Sequence, residues 1–235
     1  MDITLTPYEI DALLLSLKVS AYATLWLLPI GIFLAWLLST RQFFGKQILD
    51  SIIHLPLVLP PVVIGYLLLI STGRRGWLGD WLYDTFGLVF SFSWRGAVLA
   101  CIVVSLPLMV RSVRLSLDSV DFKLQQAART LGASSIRVFF TITLPLILPG
   151  VITGIMLSFA RSLGEFGATI SFVSNIPGET QTIPLAMFNY IETPGAEMQA
   201  ARLCIISIVI ALTSLLASEW MARRVKRRLG QELNG

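Results

Sequence analysis

Five apolar runs, each long enough to cross a bilayer, restrict this chain more than any other feature. They extend from about Leu13 to Ser39, Ile48 to Ser71, Ala97 to Val110, Ile142 to Ala160 and Ala200 to Ala217. A helix needs roughly 20 apolar residues to span the hydrocarbon core. Within that core, only helices and closed barrels satisfy every backbone polar group. Charged residues make up 14% of the chain, against about 25% in soluble domains. The expected fold is therefore all-α, a polytopic transmembrane bundle of five helices forming a single domain over residues 1–235. The third run is short and is expected to reach back toward Trp94 and forward through Arg111. The first is too long for a signal peptide's apolar core and has no basic flank before it. Lys18, near its start, can snorkel to the interface. Cys101 and Cys204 sit inside apolar runs and read as small buried hydrophobes, with no disulfide expected.

Basic residues set the orientation. Arg41, Lys46, Arg111, Arg114, Lys123, Arg129, Arg137, Arg223, Arg224, Lys226, Arg227 and Arg228 all fall on one side of the alternating spans. The other side holds Arg74, Arg75 and Arg95, with Arg161 and Arg202 near the boundary, and most of the acids, among them Asp2, Glu9, Asp80, Glu165 and Glu197. By the positive-inside rule the amino terminus is outside and the carboxyl terminus inside. The net charge of +4 then reports topology, and the tail Arg223–Arg228 is expected to meet anionic lipid rather than nucleic acid. Outside, residues 73–95 carry Trp77, Trp81, Tyr83, Phe86 and Trp94, the rings of an interfacial belt. Thr182 to Ile191 is apolar enough for a short or re-entrant helix but too short for a sixth span.

The long cytoplasmic interruption, about 111–145, has the form of two short helices joined at a glycine. Leu117, Val120, Leu124, Ala127 or Ala128, and Leu131 recur at steps of three and four, with Asp118 or Ser119 as the expected cap. Gly132 can take the left-handed conformation that ends the first helix, and Ser134 or Ser135 can cap a second through Ile136, Phe139 and Phe140. Such regularity in a loop points to docking.

Two further stretches are candidates for a pathway or gate. In HLPLVLPPVVIG, from His54 to Gly65, Pro56, Pro60 and Pro61 each remove an amide donor. A broken helix at membrane depth is tolerated where it is buried in protein or lines water. The alternatives are a discontinuous helix facing a pathway and a packing kink. His54, the one histidine, reads as structural. In FARSLGEFGATISF, Arg161 and Glu165 share a face at i, i+4 if the helix continues. They form either an interfacial anchor or a gate that guides an anion. Ser158 and Ser162, with the amides near Gly164 and Gly167, offer hydrogen bonds to a passing oxyanion. No catalytic residues emerge: there is no phosphate-binding loop, no metal-ligand spacing and no nucleophile with a histidine partner. If transport is active, its energy comes from elsewhere.

Gln126-Ala127-Ala128, three residues, Gly132, nine residues, then Ile142-x-Leu144-Pro145 resembles the coupling motif of prokaryotic ABC-importer permeases, EAA-x3-G-x9-I-x-L-P. The one departure is Gln126 for glutamate, which keeps the carbonyl and loses the charge. HLPLVLPPVVIG, PLMVRSVR and FARSLGEFGATISFVSNIPGETQTIPLAMF are similar to the molybdate-permease branch, which is related to the sulfate permeases. The resemblance implies a homodimer in a bacterial inner membrane with molybdate or tungstate as cargo. It also implies two ATPase subunits holding ATP and Mg, a periplasmic or extracellular molybdate-binding protein, and no cofactor on this chain. The alternative within the class is a sulfate or thiosulfate permease. Outside it, the alternatives are an ATP-independent channel or ion-driven carrier, and a membrane scaffold.

Overall fold

The computed structural model describes residues 5–228, without the side chains of residues 122, 218 and 226–228. Asp2 lies outside the described residues. The chain enters α1 (Pro7–Thr40) through a capping box: Thr6 accepts from the Glu9 amide while the Glu9 carboxylate accepts from the Thr6 amide. Then follow α2 (Lys46–His54), a 3-10 turn at Leu55–Leu57, α3 (Pro61–Thr72), α4 (Trp77–Phe86) and α5 (Trp94–Asp118). The loop after α5 holds α6 (Phe122–Thr130) and α7 (Ser135–Val138). A π-helical turn at Phe139–Thr143 leads into α8 (Leu144–Leu163), and α9 (Gly167–Val173), α10 (Ile183–Glu192) and α11 (Glu197–Arg228) complete the chain.

Four unbroken helical runs are long and apolar enough to cross a membrane: Pro7–Thr40, Trp94–Asp118, Ser135–Leu163 and Glu197–Val225. The expected second span is not one helix. It divides into Lys46–Leu57 and Pro61–Thr72, bent by 115°, so the count is five only if that pair is one crossing. The third run does begin at Trp94, where Ser93 accepts from the Gly96 amide, and it continues past Arg111 to Asp118. The aromatic loop folds into α4, with Trp77, Trp81 and Phe86 exposed. Lys18 places its ammonium 3.9 Å from the centre of the Trp94 ring, a cation–π contact at the start of the bundle.

Helices α1, α5 and α8 pack against one another and form the core. Lipid is as apolar as leucine, so association inside a bilayer depends on close van der Waals fit and small residues. Met109 of α5 supplies the wedge: it is fully buried, and a Cβ at Gly31 of α1 or at Gly154 of α8 would strike it. Around it lie Leu27, Leu38, Val110, Val113 and Ile147. A second cluster joins α1 and α5 to Ile64 of α3 and Ala168, Phe172 and Val173 of α9. The third, Ala12, Ile183, Ala186 and Leu203, brings α10 against α1 and α11, and the Ile183 amide donates to Ser16 Oγ at 2.7 Å.

One contact clamps the two ends of the chain. Arg202 of α11 grips Glu9 of α1 with two hydrogen bonds, Nε to Oε1 and Nη2 to Oε2, each 3.1 Å, and Glu9 is wholly buried. Removing one partner of a buried ion pair leaves an uncompensated charge, which is far more costly than removing both. Arg202→Met is expected to lower stability by about 3 kcal/mol. Adding Glu9→Gln to that variant should recover part of the loss, read by thermal unfolding in detergent.

Candidate translocation and coupling sites

The docking loop takes its shape from local rules. Asp121, not Asp118 or Ser119, caps α6, accepting from the Lys123 amide at 2.9 Å. Asp118 is unavailable because α5 continues through it, which also places Leu117 in the core rather than on the docking helix. At the far end, Gly132 has φ +87°; its amide bonds to the Arg129 carbonyl, and the Ala133 amide to the Ala128 carbonyl. This pair of bonds is the Schellman ending, which needs a residue tolerant of positive φ. Ser134 then caps α7, accepting from the Arg137 amide. Gln126 and Ala127 are exposed and Ala128 half-buried, while Leu124, Leu131, Ile136 and Phe140 present apolar side chains to the surface. Four large apolar groups are thus left exposed on one short loop.

Helix α7 does not stop at a loop. The π turn carries it into α8, so Ser135 to Leu163 is one helical run containing Ile142, Leu144 and Pro145. Thr143 within the turn is buried and Ile147 one turn later is fully buried against α1 and α5. The second loop helix and the base of α8 are therefore one helical element.

That run passes the expected end near Ala160 but does not reach Glu165. It closes at Leu163, and Gly164 leaves the helical geometry, so Arg161 and Glu165 do not lie on a continuous helix. They pair across its end instead, Arg161 Nη1 to Glu165 Oε2 at 2.6 Å. Glu165 uses its other oxygen to accept from the Ala168 amide at 2.7 Å, satisfying an open donor of α9. Its side chain is 1% exposed, against 32% for Arg161. The carboxylate is thus neutralised and turned inward, while the guanidinium keeps access to the outside.

Ser162 is buried, with Ser105 Oγ 3.1 Å from its hydroxyl, and its carbonyl accepts from Cys101 Sγ at 3.6 Å. Ser158, one turn earlier, is also buried, and its hydroxyl has no hydrogen-bond partner within the described structure. Both serines therefore sit inside this chain. Ser105 and Cys101 join them from α5, a grouping that no spacing in the sequence signals.

The proline stretch meets the same region. Pro56 lies in the 3-10 turn, Pro60 precedes α3 and Pro61 opens it, where the missing amide costs nothing. Helix α3 then packs closely on α9. A Cβ at Gly65 would strike the Ala168 carbonyl, and one at Gly167 would come 2.8 Å from Pro61 Cβ. The break in the second span, the end of α8 and the start of α9 thus form one junction. Gly65→Val should separate α3 from α9 and cost about 2 kcal/mol by overpacking. Gly164→Ala, whose Cβ would meet only the Ala160 carbonyl oxygen at an ordinary 3.8 Å and whose φ is −92°, should change stability by less than about 1 kcal/mol. Thermal unfolding of both variants in detergent checks the contrast.

Comparison with known proteins agrees with this geometry. Residues 28–231 match the family described as binding-protein-dependent transport system inner membrane component. A molybdenum transport system permease protein of Escherichia coli strain K12 is 67% identical over 97% of this chain and 99% of its own length. Its counterpart in Haemophilus influenzae is 63% identical over 95% of this chain and 97% of its own. Among solved structures, a bacterial ABC transporter that imports the acidic polysaccharide alginate superposes with a TM-score of 0.74 at 20% identity, over 94% of this chain and 80% of that one. That likeness bears on the fold alone. The chain belongs to the binding-protein-dependent transport system inner membrane component family.

Proposed function

We propose that this chain is the membrane subunit of an ATP-driven importer and forms the path by which molybdate, or the closely related tungstate, enters the cell. The observation that carries this reading is the exposed apolar loop whose second helix, from Ser135, runs without a break into α8. A separate ATPase, two copies per complex with ATP and Mg bound there, would seat on Gln126, Ala127, Ala128 and Gly132. Ile142, Leu144 and Pro145 would pass its movement into the bundle. The cargo is proposed from the 67% identity to a protein described as a molybdenum permease. Sulfate is the weaker alternative.

In this reading residues 1–235 form one permease domain in a bacterial inner membrane, with the α2–α3 pair as one broken crossing and five crossings in all. The amino terminus is outside and the carboxyl terminus inside. Glu9 meets Arg202 at one end of the bundle and Ser39 meets Asp118 at the other, the alternation of helix ends that this topology needs; the sidedness itself rests on the basic residues. Arg223 and Arg224, on the last turns of α11, would rest on anionic lipid. A second copy of the chain completes the pathway, and an external binding protein delivers the anion.

Pro56, Pro60, Pro61, Gly65, Ser158, Arg161, Ser162, Gly164, Glu165 and Gly167 make up the proposed path or its gate. At the junction Arg161 is the attractive charge, since Glu165 is buried and paired. This chain performs no bond chemistry; its part is to bind, orient and admit.

Uptake of labelled molybdate into vesicles holding the chain, its ATPase and its binding protein tests the reading. Uptake should require ATP and the binding protein and resist excess sulfate; strong sulfate competition would favour the alternative cargo, and uptake by the chain alone a channel. Gly132→Val puts a β-branched residue at φ +87° and is expected to weaken ATPase association by roughly tenfold. Undiminished association would remove the docking role from this loop.

A further inference from the structure

The cytoplasmic end of the bundle contains a polar contact that neither the docking surface nor the pathway accounts for. Arg114 of α5 donates from Nη1 to Asp50 Oδ1 of α2 at 3.1 Å. Its Nε lies 3.9 Å from Asp118 Oδ2, one turn further along α5. Asp118 Oδ1 in turn accepts from Ser39 Oγ, at the end of α1, at 2.6 Å. One guanidinium thereby joins three helices at the point where the docking loop leaves the bundle. Asp118 is the last residue of α5, and α6 starts at Phe122.

Helix α2 is held lightly. Of its nine residues only Ile53 is buried, with Leu49 half-buried against the same apolar cluster. Asp50, beside Leu49, adds through Arg114 the polar contact that ties this face to α5. His54 stiffens the same turn, with Nδ1 2.8 Å from the Asp50 carbonyl and 3.3 Å from its carboxylate. The apolar contacts seat one face of α2, and the ion pair adds a directional link from that face to the end of α5. Beyond His54 the chain passes through the 3-10 turn to the break at Pro60, and α3 then lies on α9 beside the Arg161–Glu165 pair. The side chains of Arg114 and Asp50 are 32% and 36% exposed, and a pair this open adds little to stability. An ion pair that is weak for stability but joins two helices at a joint is suited to setting register.

We propose that Arg114 and Asp50 form a coupling latch. It links movement of the docking loop to the broken second span, so that ATP hydrolysis and anion passage stay in step. This gives the loop two routes into the bundle: the rigid run α7–α8, and the lateral contact from α5 to α2. Arg114 acts through Asp50 and touches no anion; it is a positioning residue. The proposal rests on the importer reading above.

The test uses the complete complex in proteoliposomes, with molybdate uptake and phosphate release measured together on Arg114→Gln, Asp50→Asn and the double variant. Wild-type complex must first show ATP-dependent molybdate uptake; its failure would refute the importer reading and leave the latch unaddressed by design, so the two failures are distinct. Given active wild type, each single variant should assemble and hydrolyse ATP within about twofold of normal. Molybdate moved per ATP should fall by roughly tenfold. The double variant should be no worse than either single one, since both remove the same link, and Arg114→Lys should restore part of the ratio. An unchanged ratio in both single variants overturns the latch. So do additive losses in the double variant, or hydrolysis and uptake falling together as assembly is lost.

Discussion

Within a bilayer every backbone amide and carbonyl must find its partner inside the protein, and that constraint shapes each departure from regular structure here. Among the described residues the chain leaves helical geometry at Pro60, between α2 and α3, and at Gly164, between α8 and α9. Neither break stands alone. Helix α3 covers α9 closely enough that no side chain fits at Gly65 or Gly167. The Glu165 carboxylate satisfies the Ala168 amide, while Arg161 balances its charge. Each irregularity is covered by the other. The result is a compact junction where a partly exposed guanidinium sits at the broken helix ends, with Ser162 buried beside it.

The same constraint accounts for how movement could pass through the protein. A bundle held by close fit around Met109 does not flex smoothly, because small residues at Gly31 and Gly154 leave no slack. Force applied at the docking loop must travel along stiff elements. The run from Ser135 to Leu163 is the longest of these with one end in the loop. The π turn at Phe139–Thr143 marks the place where that run changes from a docking helix to a buried one, a common setting for such turns.

Charge is used sparingly and at the two ends. Glu9 and Arg202 close one end with a bidentate buried pair, and Arg114 with Asp50 and Asp118 closes the other with partly exposed groups. Burial makes the first contact a structural clamp, costly to disturb. Exposure makes the second easier to separate.

Residues close together in sequence declared much of this structure. The apolar runs specified helices of membrane length, the positive φ at Gly132 and the cap at Ser134 followed from residue type, and three prolines in six residues marked the break. The pairing of Arg161 with Glu165 was also legible, since their spacing brings them together even across a helix end. What the sequence could not state was anything carried by distant contacts. Asp121 replaces Asp118 as a cap because α5 continues through Asp118, whose carboxylate meets Ser39, 79 residues away. Glu9 and Arg202, 193 residues apart, and Asp50 and Arg114, 64 apart, meet only because α1, α5 and α8 pack as they do. The 115° bend likewise depends on what α3 rests against. Periodicity and turn chemistry act over one or two helical turns, and so the sequence by itself determined the elements and their caps. Tertiary packing decided which side chains meet, where α8 stops and how sharply the second span bends, because those outcomes depend on surfaces that exist only after the helices have assembled.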